Sequence, residues 1–279
     1  MTRQLTREGI LFDMERLPAS PQLIPRLQRL VFDVNLNPDD VLDSIKLDPG
    51  LAAKILGACN CAAFAPACRV DSISDAVTRL GFDEVYHLVS LSVLKDGFPR
   101  SLPAYRTTAA AIWHQSLTAA FLMEALVRDG SAEPSVGYTL GLLHRVGAFF
   151  IDGHLRRQKQ TVRFQIDDPA YLEWEENEVV GLSSAEAGSL AMEAWGFPPS
   201  LYQPVRFQGD PGGCPDFPLL AGKLNLAANV AALLEQGDPG PGGVHPLVAH
   251  LLHSRDEALM RLVDEVRRKV ARVEAALNL

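Results

Sequence analysis

Apolar residues recur every three or four positions along nearly all of this 279-residue chain, and that spacing commits it to helices. The punctuation agrees. Asn37 with Pro38, Asp48 with Pro49 and the Ser183-x-x-Glu186 box read as helix starts, whereas Gly81, Gly130 and Gly196 with Pro198 read as ends. The expected fold class is all-α.

The spacing also predicts which faces are buried. A short amphipathic helix turns Leu23, Leu27, Leu30 and Val31 to one side, and a helix started by Asp83 does the same with Val85, Leu88, Val89 and Val93. A long helix closes at Gly130. The next, in "EPSVGYTLGLLHRVGAFFIDGHL", opens at Pro134 and is apolar nearly all round, which predicts one central helix. Residues 155–178 read as a polar connector with one short helix, and "LLAGKLNLAANVAALLEQG" as another apolar helix. In the C-terminal helix, Leu259, Leu262, Val266, Val270 and Val273 form a stripe that suits packing on the body of the protein or a seam with a partner, including a second copy.

Composition excludes several function classes. The chain is 47% hydrophobic, ample for a core, and 26 basic against 34 acidic residues give a net charge of −8. That balance argues against a sequence-independent grip on nucleic-acid phosphates. The first residues lack the apolar core of a signal peptide, and no later stretch reaches about 18 uninterrupted apolar residues. The expectation is a cytoplasmic protein with no membrane insertion. Cys59, Cys61, Cys68 and Cys214 are too few and too unevenly spaced for a disulfide scaffold. The cluster "CNCAAFAPAC" lacks a CxxC pair, so packing among alanines is its reading.

The order of segments carries a resemblance. "LPASPQLIPRLQRL", "DPGLAAKILGACNCAAF", "SISDAVTRLGFDEVYHLVS", "WHQSLTAAFLMEAL", "YTLGLLHRVGAFF" and "AEAGSLAMEAWGFPPSL" follow one another as in the HDOD family. That family is a bacterial offshoot of the HD metal-dependent phosphohydrolases. The resemblance implies an HDOD domain over 15–235, made of an N-terminal helical lobe (15–100) packed on an HD-like bundle (101–235). Residues 1–14 then form a helical extension and 236–279 a C-terminal connector and amphipathic helix.

Active HD enzymes hold one or two divalent metals with an early histidine, an adjacent His-Asp pair, later histidines and a distal aspartate. By resemblance His114 matches the early histidine and His144 the histidine of the pair, but Arg145 stands where the pair's acid belongs. That exchange removes an anionic ligand and adds a permanent cation. Ser184 falls where a histidine is frequent, Gln208 and Gly209 where a His-His pair is common, and Asn229 at the distal aspartate. The remaining histidines, His87, His154, His245, His250 and His253, read as ordinary surface or core residues, because no carboxylate is spaced to complete a site with them.

The degenerate motif implies no cofactor and no catalysis. The expected function is a signalling or scaffold module working through protein contacts with a separate chain: a histidine kinase, a response regulator or a cyclic-di-GMP enzyme. Two alternatives stay open. One is a residual metal-dependent phosphohydrolase. The other is a nucleotide or anion sensor, in which Arg145 binds a phosphate or carboxylate instead of pairing with Asp152 or Glu186.

Overall fold

Helix caps set the element boundaries in the computed structural model, which describes residues 49–60, 72–165, 169–236 and 257–277 together with 6, 8, 9, 12 and 70. The expected face of Leu23, Leu27, Leu30 and Val31, the Asn37–Pro38 cap, Cys61, Cys68, His245, His250 and His253 lie outside the described residues. The chain divides into two units, residues 18–98 with 267–279, and residues 1–17 with 99–266.

In the first unit, α1 (Pro49–Cys59) packs on α2 (Ile73–Leu80) and α3 (Phe82–Gly97). Ser72 caps α2 by accepting from Asp75 N at 3.0 Å. Gly81, at φ 82°, stops α2 and lets α3 restart one residue later, as the sequence predicts. Asn60 joins the end of α1 to Val70 in both directions, donating to the Val70 oxygen and accepting from its nitrogen, each at 2.8 Å.

The second unit begins with a two-residue antiparallel ladder, β1 (Ser101–Leu102) and β2 (Thr107–Thr108), wrapped around a 3-10 turn at Pro103–Tyr105. It is the sole strand structure among the described residues, so the all-α expectation holds. Thr108 caps α4 (Ala109–Leu126), and Gly130 at φ 87° ends the 3-10 turn that follows it. Next come α5 (Pro134–Leu143), α6 (Val146–Arg157), α7 (Pro169–Val180), α8 (Ser184–Ala194), α9 (Pro199–Arg206) and α10 (Pro218–Gln236). α4 packs against both α5 and α10. Lys223 on α10 fastens the end of α4 by donating to Leu126 O (2.9 Å), Asp129 Oδ2 (2.6 Å) and Ser131 Oγ (2.7 Å).

One expectation is corrected. The helix predicted to run on from Pro134 is broken at His144–Arg145 into α5 and α6. Arg145 leaves the helical region at φ −104°, ψ 6°. Small residues show what each half follows. A Cβ on Gly141 would overlap the backbone of Ala120 on α4, and one on Gly147 would overlap the Ser184 carbonyl on α8. The break lets α5 lie close on α4 and α6 close on α8.

The final helix, α11 (Glu257–Leu277), buries Val263, Val266, Val270, Val273 and Ala276, while Leu262 is only half-buried. The predicted stripe is therefore buried from Val266 onward. None of the described helices is long and apolar enough to cross a membrane.

Ser183 and Glu186 form the predicted capping box at α8, with Ser183 Oγ accepting from Glu186 N at 3.2 Å. Ser183 is 1% exposed, so water cannot replace the lost acceptor. Ser183→Ala should cost about 1 kcal/mol in urea denaturation; an unchanged midpoint would show that the cap contributes nothing.

Candidate functional site

The break at His144–Arg145 gathers most of the positions singled out in the sequence. His144 is 5% exposed, and its Nδ1 lies 2.6 Å from Gly141 O. A carbonyl only accepts, so Nδ1 carries the proton and Nε2 is left as the acceptor. Burial, and after it the neighbouring Arg145 charge, lower its pKa to about 3. The ring is neutral at physiological pH.

Arg145 is half-buried and donates through Nη1 to Gln115 Oε1 on α4. Gln115 directly follows His114, whose carbonyl accepts from Thr118 Oγ1 at 2.9 Å. On the opposite side of the break, Gln208 Nε2 donates to His144 O (3.1 Å), and Gln208 O accepts from Asn225 Nδ2 (2.7 Å). Asn229 Nδ2 then donates to Asn225 O at 2.8 Å. Of the positions matched to a metal site, His144, Gln208 and Asn229 thus share one hydrogen-bonded chain, in which amides do the joining.

Ser184 enters through α7 and α8. The close approach of Gly147 to the Ser184 carbonyl sets the first turn of α8 beside the break. Ser184 N donates to Glu176 Oε2 at 2.6 Å, and Tyr105 OH donates to Glu176 Oε1, also at 2.6 Å. Glu176 is 1% exposed. Its burial raises its pKa to about 7, against the opposing pull of these two hydrogen bonds and of the Arg145 charge. Tyr105, buried beside that carboxylate, is raised well above its ordinary value, first by burial and then by Glu176.

The acids first considered as partners of Arg145 have other engagements. Asp152 Oδ2 lies 2.6 Å from Arg156 Nε, and Glu186 Oε1 lies 3.5 Å from Arg206 Nη2. Glu176 is the buried acid whose ionisation the Arg145 charge favours. Sequence reading missed it among the four acids of "EWEENE", although Leu172, Glu176 and Val180 share one helical face and a carboxylate on an apolar face was a detectable signal. Gln115 and Asn225 carried no such signal. His87 and His154 are buried, as core histidines would be; His154 Nε2 lies 2.8 Å from Gln158 Nε2 on its own helix.

The donor set does not fit a divalent metal. His144 offers one imidazole nitrogen, while Arg145 brings a cation and Gln208 and Asn229 bring amides whose NH2 groups face protein carbonyls. Among the described residues, no three His, Cys, Asp or Glu side chains converge as ligands.

Comparison with known proteins fits this architecture. No curated protein matches the chain. Among solved structures, a Shewanella amazonensis protein provisionally named a phosphohydrolase superimposes with TM-score 0.68 at 22% identity, over 96% of this chain and 98% of that one. A Marinobacter aquaeolei protein provisionally named for signal transduction gives TM-score 0.69 at 25% identity, over 96% of this chain and 60% of that one. An HDOD domain protein of unknown function from Geobacter sulfurreducens gives TM-score 0.64 at 18% identity, over 94% and 97%. The HDOD domain model matches residues 17–211, and on that match the chain belongs to the HDOD family.

Proposed function

We propose that this chain is a non-catalytic bacterial signalling module that acts through protein contacts with partners on separate chains. Membership of the HDOD family supports the class, and the name of the Marinobacter relative points the same way. The observation that carries the non-catalytic reading is Arg145 in the place of the acid of the His-Asp pair, donating to Gln115 at the helix break. A guanidinium there opposes a divalent cation by charge, and it withdraws the carboxylate that would have bound one. A histidine kinase, a response regulator or a cyclic-di-GMP enzyme is the kind of partner the family resemblance implies.

The residual phosphohydrolase is the second reading. It is favoured by the name of the Shewanella relative and by His144, whose Nδ1–H is held by a carbonyl in the way a metal-ligating histidine is usually oriented. Metal analysis of the purified protein separates the two. Supplied with manganese or ferrous iron, it should retain far less than one equivalent and leave bis(p-nitrophenyl) phosphate unhydrolysed. Arg145→Asp should not restore turnover, because Ser184, Gln208 and Asn229 still lack ligand chemistry. Stoichiometric metal with phosphodiester turnover in the unmodified chain would overturn the non-catalytic reading.

A further inference from the structure

A cavity of about 520 Å³ lies in the second unit, between the Pro103–Tyr105 turn, the C-terminal half of α6 and residues 160–163. Ligand pockets commonly run from roughly 300 to 1,000 Å³. Its apolar wall includes Leu155 and Val162, and among the described residues its charged lining is Arg106, Arg156 and Arg163 against the single acid Asp152.

That acid is already committed. Asp152 is 1% exposed, and its Oδ1 accepts from Ala104 N at 2.9 Å, fixing the turn. Its Oδ2 faces Arg156 Nε at 2.6 Å, an ion pair not aligned as a hydrogen bond. Arg156 also donates to the Ser101 carbonyl, so Asp152 and Ser101 hold it in place. Arg106 and Arg163 are exposed at the cavity, and among the described residues their side chains make no hydrogen bond or ion pair. Two guanidiniums with no counter-ion among the described residues thus border one cavity in a chain of net charge −8.

Backbone conformation adds an independent observation. Arg106 sits at φ 50°, ψ 32°, in the left-handed region, where its N–H closes the turn onto Pro103 O. Glycine fits that geometry freely, whereas other L-residues carry a penalty of roughly 1–2 kcal/mol. Among the described residues the Arg106 side chain makes no hydrogen bond or ion pair to offset it. Among the described residues the other non-glycine residue with positive φ is Lys159, at 54°, immediately before the lining segment 160–163. Strained residues that persist without a structural reward point to a functional one.

We propose that this cavity binds a phosphate-bearing small molecule, with Arg106 and Arg163 taking its phosphate oxygens and the Leu155–Val162 wall its less polar body. The planar guanidinium fork matches phosphate oxygens two at a time, and the volume exceeds what a single inorganic anion fills. None of the cavity's charged residues belongs to the Arg145 cluster, so this inference stands apart from the proposed function.

Inorganic pyrophosphate is the probe, tested on the full chain by thermal shift and calorimetry, with sodium chloride at matched ionic strength as the control. Pyrophosphate should raise Tm beyond the control, because a ligand selective for the native state stabilises it. Arg163→Ala should weaken binding by about tenfold or more. Arg106→Gly should abolish the shift while leaving Tm of the unliganded protein no lower, since it relieves the left-handed strain. The proposal fails if pyrophosphate gives no shift beyond the control. It also fails if the shift survives in the Arg106→Gly, Arg163→Ala double variant, or if Arg106→Gly alone destabilises the free protein.

Discussion

Gly147→Ala is expected to lose about 4 kcal/mol of stability, a large share of what a domain of this kind has. The added methyl would fall inside the Ser184 carbonyl, which is backbone at the first turn of α8 and cannot rotate away. α6 and α8 would have to separate, and Ser184 N would be drawn from Glu176 Oε2, where it now lies at 2.6 Å. Gly153→Ala on the same helix is the control. Its nearest neighbour would be Arg157 Nη1 at 3.6 Å, so it should gain roughly 0.5–1 kcal/mol from reduced backbone freedom in the unfolded chain. Urea midpoints of the two variants should move in opposite directions, and a wild-type midpoint for Gly147→Ala would remove the close helix crossing on which the site rests.

Glu176→Gln should change the shape of the stability–pH curve, by about 3 kcal/mol over the window in which Glu176 titrates. The folded-state pKa of Glu176 is raised from 4.5 to about 7, so the native state binds its proton more tightly. The resulting stability is complete below pH 4.5 and is lost as pH rises to about 7. His144 acts in the opposite sense, because its folded-state pKa is lowered from 6.5 to about 3. Its contribution is complete above pH 6.5 and is lost as pH falls toward 3. Between pH 4.5 and 6.5 the two slopes oppose each other, and the curve for these groups should be nearly flat. With Glu176→Gln the His144 slope is uncovered, and stability should climb with pH across that interval in urea titrations at fixed ionic strength. A parallel displacement of the whole curve would show that Glu176 does not titrate differently in the two states.

The fold was legible where boundaries are written in local chemistry. Ser183 with Glu186, Gly81 and Gly130 each use a backbone position or a side-chain cap that the sequence names directly. The break at His144–Arg145 was not legible, because neither residue is a helix breaker. It comes from two tertiary demands, Gly141 against Ala120 and Gly147 against Ser184. The candidate site divides in the same way. His144, Arg145, Gln208 and Asn229 were found through motif resemblance; hydrogen bonds link His144, Gln208 and Asn229 through Asn225, while Arg145 turns to Gln115. Glu176 was passed over as one acid among several, although its place on the helical face of Leu172 and Val180 set it apart. The arginine-lined cavity draws on residues 103–106, 152–156 and 160–163, which share no motif and are brought together by tertiary contacts such as Asp152 with Ala104 N and Phe164 N with Ala104 O.

The Lys223 anchor has a bearing on how the chain emerges from the ribosome. Its bond to the Leu126 carbonyl spans 97 residues, and α10 supplies packing that α4 cannot obtain earlier. At roughly 5–20 residues per second, synthesis takes about 5–20 s to cover that interval. During it α5 is made soon after α4 and can cover one side of that apolar helix, but the side destined for α10 stays open. The nascent bundle is thus most prone to misassociation after α4 appears and before Lys223 arrives, and the late closure of α10 sets how long a chaperone would have to shield it.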